Sequence, residues 1–112
     1  MAETMAGGLQ GDEPAHCDFE ATFQLLGQKY VLHLLRALLD AHPRRFNDLR
    51  EAVGANTATL TDRLRRMERL GLVRRDVIRV LPRRVEYGLT PMGRDLVKIF
   101  PPMLKWREKY SR

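Results

Sequence analysis

The sequence predicts a mainly α-helical domain with one small β-hairpin (α+β), arranged as a winged helix-turn-helix with an extra helix at each end. Two observations predict this fold, and a third indicates the kind of partner. Two helical segments are joined by a tight turn containing Gly54, as in a helix-turn-helix. Beyond Gly71 the apolar spacing changes to the alternation that is typical of paired strands, here a two-stranded wing. Arginine is abundant around both features, which favours a polyanionic partner.

The N-terminal residues 1–16 are expected to form a flexible acidic tail, and residues 17–112 the winged helix-turn-helix domain. The tail is rich in Gly, Ala and acidic residues and has no apolar period. Because it also lacks a hydrophobic stretch, we expect no secretory signal. No apolar run approaches the ~20 residues that cross a bilayer, which argues against a transmembrane protein.

Two helices are predicted before the helix-turn-helix. The first is capped by Asp18 and ends at Gly27. Its apolar stripe, at helical spacing, consists of Phe19, Thr22, Phe23 and Leu26. The second helix begins at about Lys29 and ends before Pro43, which cannot continue the backbone ladder. Its apolar face is broad, so we expect this helix to be buried on more than one side.

The helix-turn-helix itself begins with a short helix over residues 48–53, which Asn47 is expected to cap. After the turn at Gly54, Asn56 caps a longer helix over residues 57–70, which we identify as the recognition helix. Leu60, Leu64 and Met67 recur at helical spacing along it and are assigned to the core.

The wing is predicted from two strands, residues 72–80 and 85–89, joined by a turn at residues 81–84 that carries basic side chains. Thr90 followed by Pro91 is a helix start, a cap and then a proline in the first turn. Two further prolines, at positions 101 and 102, are expected to bend or break this helix before a last helical segment over residues 103–110.

The charge distribution favours nucleic acid as the partner. The 112 residues include 20 basic and 14 acidic side chains, and the net charge is +6. Residues 1–20 hold five of the acids and no Lys or Arg, so the positive charge is concentrated in the domain. Sixteen of the bases are Arg, the side chain that pairs best with phosphate and with guanine edges. Double-stranded DNA is therefore the expected partner.

The outer and flanking faces of the recognition helix are predicted to contact DNA. Their residues are Thr57, Ala58, Thr59, Thr61, Asp62, Arg65, Arg66 and Arg69. The N-terminal part of such a helix contacts base edges. Ala58 can contact a thymine methyl, Thr61 can donate or accept, and Arg65 can bind guanine O6 and N7 together.

Some of these roles have alternatives. Asp62 can accept a hydrogen bond from cytosine N4 or can orient Arg65 or Arg66 on the next turn; we favour the orienting role. The arginines of the helix can also form a solvated face with surface pairs such as Arg65 with Glu68. Their place within a helix-turn-helix favours DNA contact over that interpretation.

Basic residues outside the recognition helix are predicted to contact the DNA backbone. A wing with arginine at its tip can enter the minor groove, and the candidates there are Arg79, Arg83 and Arg84. Arg84 can instead brace the wing against Glu86, and the two interpretations of Arg84 stay open. Phosphate anchors that fix register without contacting bases are predicted at Arg44, Arg45, Asn47 and Arg50.

Several motifs of residues 17–106 are distinctive in combination. They are the isolated Cys17, Leu26-Gly27-Gln28-Lys29-Tyr30, Arg45-Phe46-Asn47-Asp48-Leu49-Arg50, Leu60-Thr61-Asp62-Arg63-Leu64, Leu70-Gly71-Leu72-Val73, and Arg84-Val85-Glu86-Tyr87-Gly88-Leu89-Thr90 with Gly93 following. With these motifs the chain resembles the HxlR family of bacterial, MarR-like winged helix-turn-helix transcriptional regulators.

The resemblance implies a homodimer that binds a pseudo-palindromic operator, and we expect a repressor rather than an activator. A cytoplasmic location is expected from the lack of a signal or membrane segment and the single cysteine. In this family the first and last helices form the dimer, here residues 19–26 and 97–110. Some members sense oxidants or electrophiles through the cysteine equivalent to Cys17, which implies a redox sensor. The acids Asp18 and Glu20 beside the sulfur oppose thiolate formation. We therefore favour packing of Cys17 at the dimer interface over sensing, and both interpretations stay open.

Enzymatic function is not expected, because the sequence contains no glycine-rich phosphate loop, no HExxH and no nucleophile elbow. Cys17 is the only cysteine, which excludes an intrachain disulfide and a zinc-finger cluster. We therefore expect no cofactor and no metal, and leave open whether a small-molecule effector binds. The alternative function is a structural or adaptor winged-helix protein that binds RNA or protein through its basic face.

Overall fold

The computed structural model describes residues 14–39 and 43–111, with side chains described from Phe19 onward in the first helix. The elements are α1 (Pro14–Leu26), α2 (Val31–Ala37), α3 (Phe46–Val53), α4 (Thr57–Leu70), β1 (Val73–Val80), β2 (Arg83–Leu89), α5 (Pro91–Leu96), a 3-10 turn (Val97–Ile99) and α6 (Phe100–Tyr110). This order confirms the predicted fold, a mainly helical winged helix-turn-helix with an extra helix at each end.

The hydrophobic core lies between α2, α3, α4 and the hairpin. Its most deeply buried side chains are Val31, Leu34, Leu35, Leu49, Leu60, Leu64, Met67 and Leu72. A fully buried Leu stabilises the fold by roughly 1.5–3 kcal/mol through removal of apolar surface from water. The burial of three α4 side chains confirms the inward face predicted for the recognition helix, and it fixes which α4 side chains face solvent.

The hairpin is an antiparallel pair in which Val73 lies opposite Leu89 and Arg75 opposite Tyr87. A β-bulge interrupts the register between Val77 and Arg79. A third segment joins the sheet at one point, where the backbone N–H of Arg44 donates to the carbonyl of Tyr87 at 2.9 Å and the reverse bond measures 2.7 Å. The segment before α3 is therefore tied directly to the wing.

The junction between α4 and α5 requires glycine at two positions. Gly71 ends α4 with φ at 92°, in the left-handed region that a side chain disfavours. A Cβ atom on Gly93 would lie 2.2 Å from the carbonyl oxygen of Leu72, so the α5 backbone packs directly on the chain after α4. Thr90 joins the two ends: its hydroxyl donates to the Gly71 carbonyl and accepts from the Gly93 N–H. This confirms Thr90 as the cap of α5.

Two predicted caps are wrong. The first helix begins at Pro14, so Asp18 lies inside it and residues 14–16 of the predicted tail are helical. Proline is well suited to the first turn because its missing N–H has no helical partner there. Asn47 lies inside α3, which begins at Phe46. Arg45 is the N-cap residue, and its backbone N–H donates to the Asp48 carboxylate at 3.1 Å.

Other boundaries also differ from those predicted. The second helix ends at Ala37, six residues before Pro43. Arg83 and Arg84 belong to β2 and pair with Val80 and Arg79, so the turn shrinks to two residues. The last helix contains both prolines in its first turn, where neither removes a helical hydrogen bond, and the break lies just before them in the 3-10 turn.

The two terminal helices expose apolar side chains that the core does not cover. Phe19 and Phe23 on α1 are each 63% exposed and stack on one another with ring centroids 5.1 Å apart. In α6, Leu104, Trp106 and Tyr110 are more than half exposed, and none of its residues is buried. None of the helices among residues 14–39 and 43–111 is long and apolar enough to cross a membrane.

Candidate nucleic-acid interface

The recognition helix α4 is held at its N-terminus by Asn56, as predicted. The side-chain oxygen of Asn56 accepts a hydrogen bond from the backbone N–H of Thr59 at 2.8 Å. This bond satisfies one of the amide groups that a helix leaves unpaired at its start. The end of α4 that contacts base edges in a DNA-bound helix-turn-helix is thereby given a defined geometry.

The outer face of α4 carries the side chains predicted to contact DNA. Thr57, Ala58, Arg65, Arg66 and Arg69 are exposed, whereas Thr59, Thr61 and Asp62 are half-buried on its flanks. Within the described part of the chain, Arg65 forms no ion pair, so the surface pair between Arg65 and Glu68 is absent. Arg65 is therefore free to pair with an incoming anion.

Asp62 orients Arg66, one of the two arginines that the sequence offered as its partner. Its carboxylate accepts from Arg66 Nε at 2.9 Å, one helical turn away, and from the neighbouring Arg63 at 2.6 Å. The hydrogen bond from Arg66 holds the pKa of Asp62 below its ordinary value, burial opposes that shift, and the bond from Arg63 adds to it. Asp62 thus stays ionised and keeps Arg66 along the helix surface.

Arg63 is a positioning residue that the sequence interpretation missed. Its Nε donates to the backbone carbonyl of Lys29 at 2.9 Å, 34 residues earlier in the chain. This bond holds the middle of α4 against the segment that precedes α2. A signal for it exists in the sequence, because position 63 immediately precedes Leu64 and flanks the apolar stripe, where an arginine contacts a neighbouring element rather than solvent alone.

The arginines of the hairpin differ in whether they form an ion pair with an acidic side chain. On one face Arg84 donates to Glu86 at 3.1 Å, the bracing role left open by the sequence. On the same face Arg74 donates to Asp76 at 2.9 Å and to the Leu89 carbonyl at 2.7 Å. Arg79 and Arg83 are exposed and form no ion pair with any described residue. They are the wing arginines that remain available to DNA.

The predicted phosphate anchors lie just before α3 and along it. Arg45, Asn47 and Arg50 are exposed, and Arg44 is half-buried where its backbone pairs with β2. Arg50 lies in the last turn of α3 and Arg45 at its N-cap, so the anchors are spread along the helix. They belong to the same domain as α4 and the wing, so phosphate contacts at these residues could fix the register of that domain on DNA.

A cleft of about 580 Å³ separates α4 from the hairpin. The α4 wall carries Thr61, Leu64, Arg65 and Glu68, and the hairpin wall carries Arg75, Val85 and Tyr87. Arg75 was not among the predicted DNA-contacting residues. It is exposed, although it lies opposite the buried Tyr87 on the face of the hairpin that packs on the helices.

Cys17 and metal binding were also considered from the sequence. Cys17 lies within α1, but its side chain is outside the part of the molecule described. No group of three His, Cys, Asp or Glu side chains capable of holding a metal ion occurs among the described residues. A second, largely apolar groove of about 540 Å³ runs between α2 and α6. Its lining includes Leu32, Leu39, Phe100 and Leu104, together with His33 and Arg36.

Comparisons with known proteins agree with this geometry. The family model of the HxlR-like helix-turn-helix matches residues 25–112. The chain is 38% identical over 101 residues to YdeP, an HTH-type transcriptional regulator of Bacillus subtilis, covering 89% of this chain and 78% of that protein.

Two solved structures of regulators are also similar to this chain. The reduced form of the transcriptional regulator YodB from B. subtilis is 29% identical with a TM-score of 0.73, over 89% of this chain and 95% of that one. The reduced form of the redox regulator HypR is 36% identical with a TM-score of 0.70, over 81% of this chain and 90% of that one.

Proposed function

Because the chain belongs to the HxlR-like helix-turn-helix family, we propose that it represses transcription as a homodimer bound to a pseudo-palindromic operator. It is a DNA-binding transcriptional regulator of the helix-turn-helix class, and its family consists of regulators rather than enzymes. The operator, the repression and the dimer are our proposal, together with a cytoplasmic location beside the DNA that the protein regulates.

The observation that carries the proposal is the arginine-lined outer face of α4, next to a wing whose Arg79 and Arg83 are unpaired within the described chain. In the proposed complex α4 enters the major groove and the wing reaches the adjacent minor groove. The DNA-facing residues of α4 are Thr57, Ala58, Thr59, Thr61, Asp62, Arg65, Arg66 and Arg69. Arg44, Arg45, Asn47 and Arg50 contact phosphates on the flank.

The proposed dimer is formed by α1 and α6. An isolated helix of 11 residues is marginal in water, and α6 has no buried residue in the single chain. Exposed apolar surface of this extent marks an interface. A second copy would cover the stacked Phe19 and Phe23 and the groove between α2 and α6. It would also place the two recognition helices about one helical turn of DNA apart, ~34 Å.

The test is a footprint on the DNA upstream of the protein's own gene, followed by binding to the protected duplex over 50–200 mM salt. We expect protection of a two-fold-symmetric site of ~20 base pairs and an affinity that falls by roughly 10³ to 10⁵ across that range. Binding that is equally weak on every duplex would favour the alternative, an adaptor that binds RNA or protein through its basic face. A flat salt dependence would contradict DNA binding through these arginines.

Cys17 is the proposed sensing residue, and similarity to the redox regulator HypR supports this proposal. Because the chain has one cysteine, oxidation would join Cys17 to a second chain or to a small thiol. Hydrogen peroxide is titrated into the operator complex of the wild type and of Cys17→Ser. Release of DNA by the wild type alone supports sensing, whereas identical release by both proteins assigns Cys17 to packing.

A further inference from the structure

In the proposed DNA complex, one specific part of the DNA would occupy the cleft between α4 and the hairpin. A helix in the major groove and a wing in the adjacent minor groove lie on either side of one sugar-phosphate strand, because that strand is the wall between the two grooves. In the proposed complex that strand would therefore lie in the space between α4 and the hairpin. Its volume of about 580 Å³ is comparable with pockets that hold small molecules, about 300–1,000 Å³.

The walls of the cleft carry opposed cationic groups. Side chains alternate between the faces of a strand, so Arg74 and Arg75 project to opposite sides of β1. Arg74 is held by Asp76 and the Leu89 carbonyl on the outer face. Arg75 lies opposite Tyr87, on the inner face, and lines the cleft across from Arg65. Neither Arg65 nor Arg75 forms an ion pair with a described residue.

We propose that this cleft is a phosphodiester-binding site in which Arg65 on α4 and Arg75 on β1 hold, from opposite walls, the DNA strand between the two grooves. The inference rests on the proposed DNA binding and adds Arg75 to the residues that carry it. It also changes the role of Arg65, which the sequence alone assigned to guanine. A guanidinium supplies several donors in a fixed fork and suits phosphate oxygens from either wall.

Glu68 is the one acidic side chain that lines the cleft, and it bears on the same site. It is half-buried on the α4 wall, one turn beyond Arg65. Its carboxylate repels a phosphate while the two arginines attract it, so the cleft retains a net positive charge. Removal of the Glu68 charge should therefore strengthen binding to any duplex, without changing which duplex is preferred.

The experiment compares Arg75→Gln, Arg65→Gln and Glu68→Gln on the operator duplex, on a scrambled duplex and on operators with single base-pair changes. Fluorescence anisotropy is measured from 50 to 200 mM salt. Each arginine variant is expected to lose about 10- to 100-fold in affinity for both duplexes at 0.1 M salt, because a dimer loses two phosphate contacts. The magnitude of the log–log salt slope should fall by about 2. Arg75→Lys should retain most of the slope, and Glu68→Gln should bind both duplexes more tightly.

The matched control is Arg74→Gln, which removes the neighbouring charge from the outer face. It is expected to keep the wild-type salt slope, while circular dichroism confirms that every variant is folded. An unchanged slope in Arg75→Gln, with operator binding intact in the wild type, would overturn the cleft proposal and leave the proposed function standing. Loss of discrimination at one base pair in Arg65→Gln would return Arg65 to guanine contact. Failure of the wild type to bind any duplex would contradict the proposed function itself.

Discussion

The carboxylate of Asp62 and the guanidinium Nε of Arg66 lie 2.9 Å apart, one turn from each other on the recognition helix. An acid on a helix that is proposed to face DNA would be repelled by phosphates, so we looked for a compensating role in its contacts. The pair supplies one, because Asp62 holds the Arg66 side chain along the helix axis. The two neighbouring arginines differ in their surroundings: Arg65 lines the hairpin cleft, whereas Arg66 is paired along α4.

The first prediction concerns the titration of Asp62. Because Arg66 lowers the pKa of this carboxyl in the folded chain, the pair stabilises the fold above about pH 3.8, and that contribution is lost as the pH falls through the lower folded value. In Arg66→Gln the pKa of Asp62 should rise towards 3.8. Carboxyl chemical shifts measured by NMR over pH 2–6 check this. Arg65→Gln is the control and should leave the midpoint in place; an equal shift in both variants would contradict the pairing.

The second prediction separates the two arginines that follow the turn of the hairpin. Arg84 is engaged by Glu86, whereas Arg83 is exposed and unpaired among the described residues. Arg83→Gln should therefore weaken operator binding by about 10-fold or more at 0.1 M salt, and Arg84→Gln by distinctly less. Glu86→Gln should strengthen binding by releasing Arg84. An Arg84→Gln variant that loses as much affinity as Arg83→Gln would show that the brace opens on DNA.

The third prediction concerns the close packing of α5 on the end of α4. A Cβ on Gly93 would meet the Leu72 carbonyl oxygen at 2.2 Å, and backbone cannot move aside cheaply. Gly93→Ala is therefore expected to cost about 3 kcal/mol or more of unfolding free energy, at or beyond the upper end of overpacking effects. Gly54→Ala is the comparison, since φ there is 74° but no atom lies within 4 Å. It should cost only about 1–2 kcal/mol, the strain of a left-handed backbone. Urea unfolding gives both values, and equal losses would contradict the clash.

The recognition helix could be predicted closely because its signals are local. Its cap at Asn56, its inward stripe and its stop at Gly71 all lie within a few residues of the features they determine. The same local reasoning failed for α3, where Asn47 is a better cap by residue type than Arg45. There the first helical turn includes Phe46, which packs against the core, so tertiary burial moved the boundary by two residues.

The candidate site was less predictable than the helix that carries it. Whether Arg75 lines a cleft depends on the strand register, and that register contains a bulge that the sequence does not announce. Arg63 binds the Lys29 carbonyl across 34 residues of chain, a contact that only the packed fold creates. The choice between bracing and DNA contact for Arg84 likewise required the distance to Glu86. Residue types identified the basic surface, but tertiary geometry decides which arginines are already paired.

The fourth prediction compares two asparagines of the helix-turn-helix. Asn56 accepts a hydrogen bond from the Thr59 N–H, whereas Asn47 lies inside α3, whose N-cap is Arg45. Asn56→Ala should lower the free energy of unfolding by about 1 kcal/mol, and Asn47→Ala should change it by less than about 0.5 kcal/mol. Thermal or urea unfolding at low salt measures both. A larger loss at position 47 would mean that the side chain of Asn47 caps α3 after all.

The fifth prediction tests the proposed dimer through α1. Phe23 is 63% exposed and is not one of the core residues, so Phe23→Asp should leave the fold of a single chain intact. In a dimer, however, the substitution would bury a carboxylate without a partner, a cost of several kcal/mol. Sedimentation should therefore give twice the chain mass for the wild type and a single chain mass for Phe23→Asp at micromolar concentration.

Leu81→Asp is the matched control for this test. Leu81 is 91% exposed at the turn of the hairpin, remote in the proposed complex from the dimer helices, and its substitution should leave the dimer intact. The Phe23→Asp monomer should also protect one half-site instead of a symmetric pair, because each recognition helix then binds alone and the cooperative second contact is lost. A Phe23→Asp protein that remains dimeric would place the interface elsewhere, and α6 alone, through Trp106 and Leu104, would be the surface to substitute next.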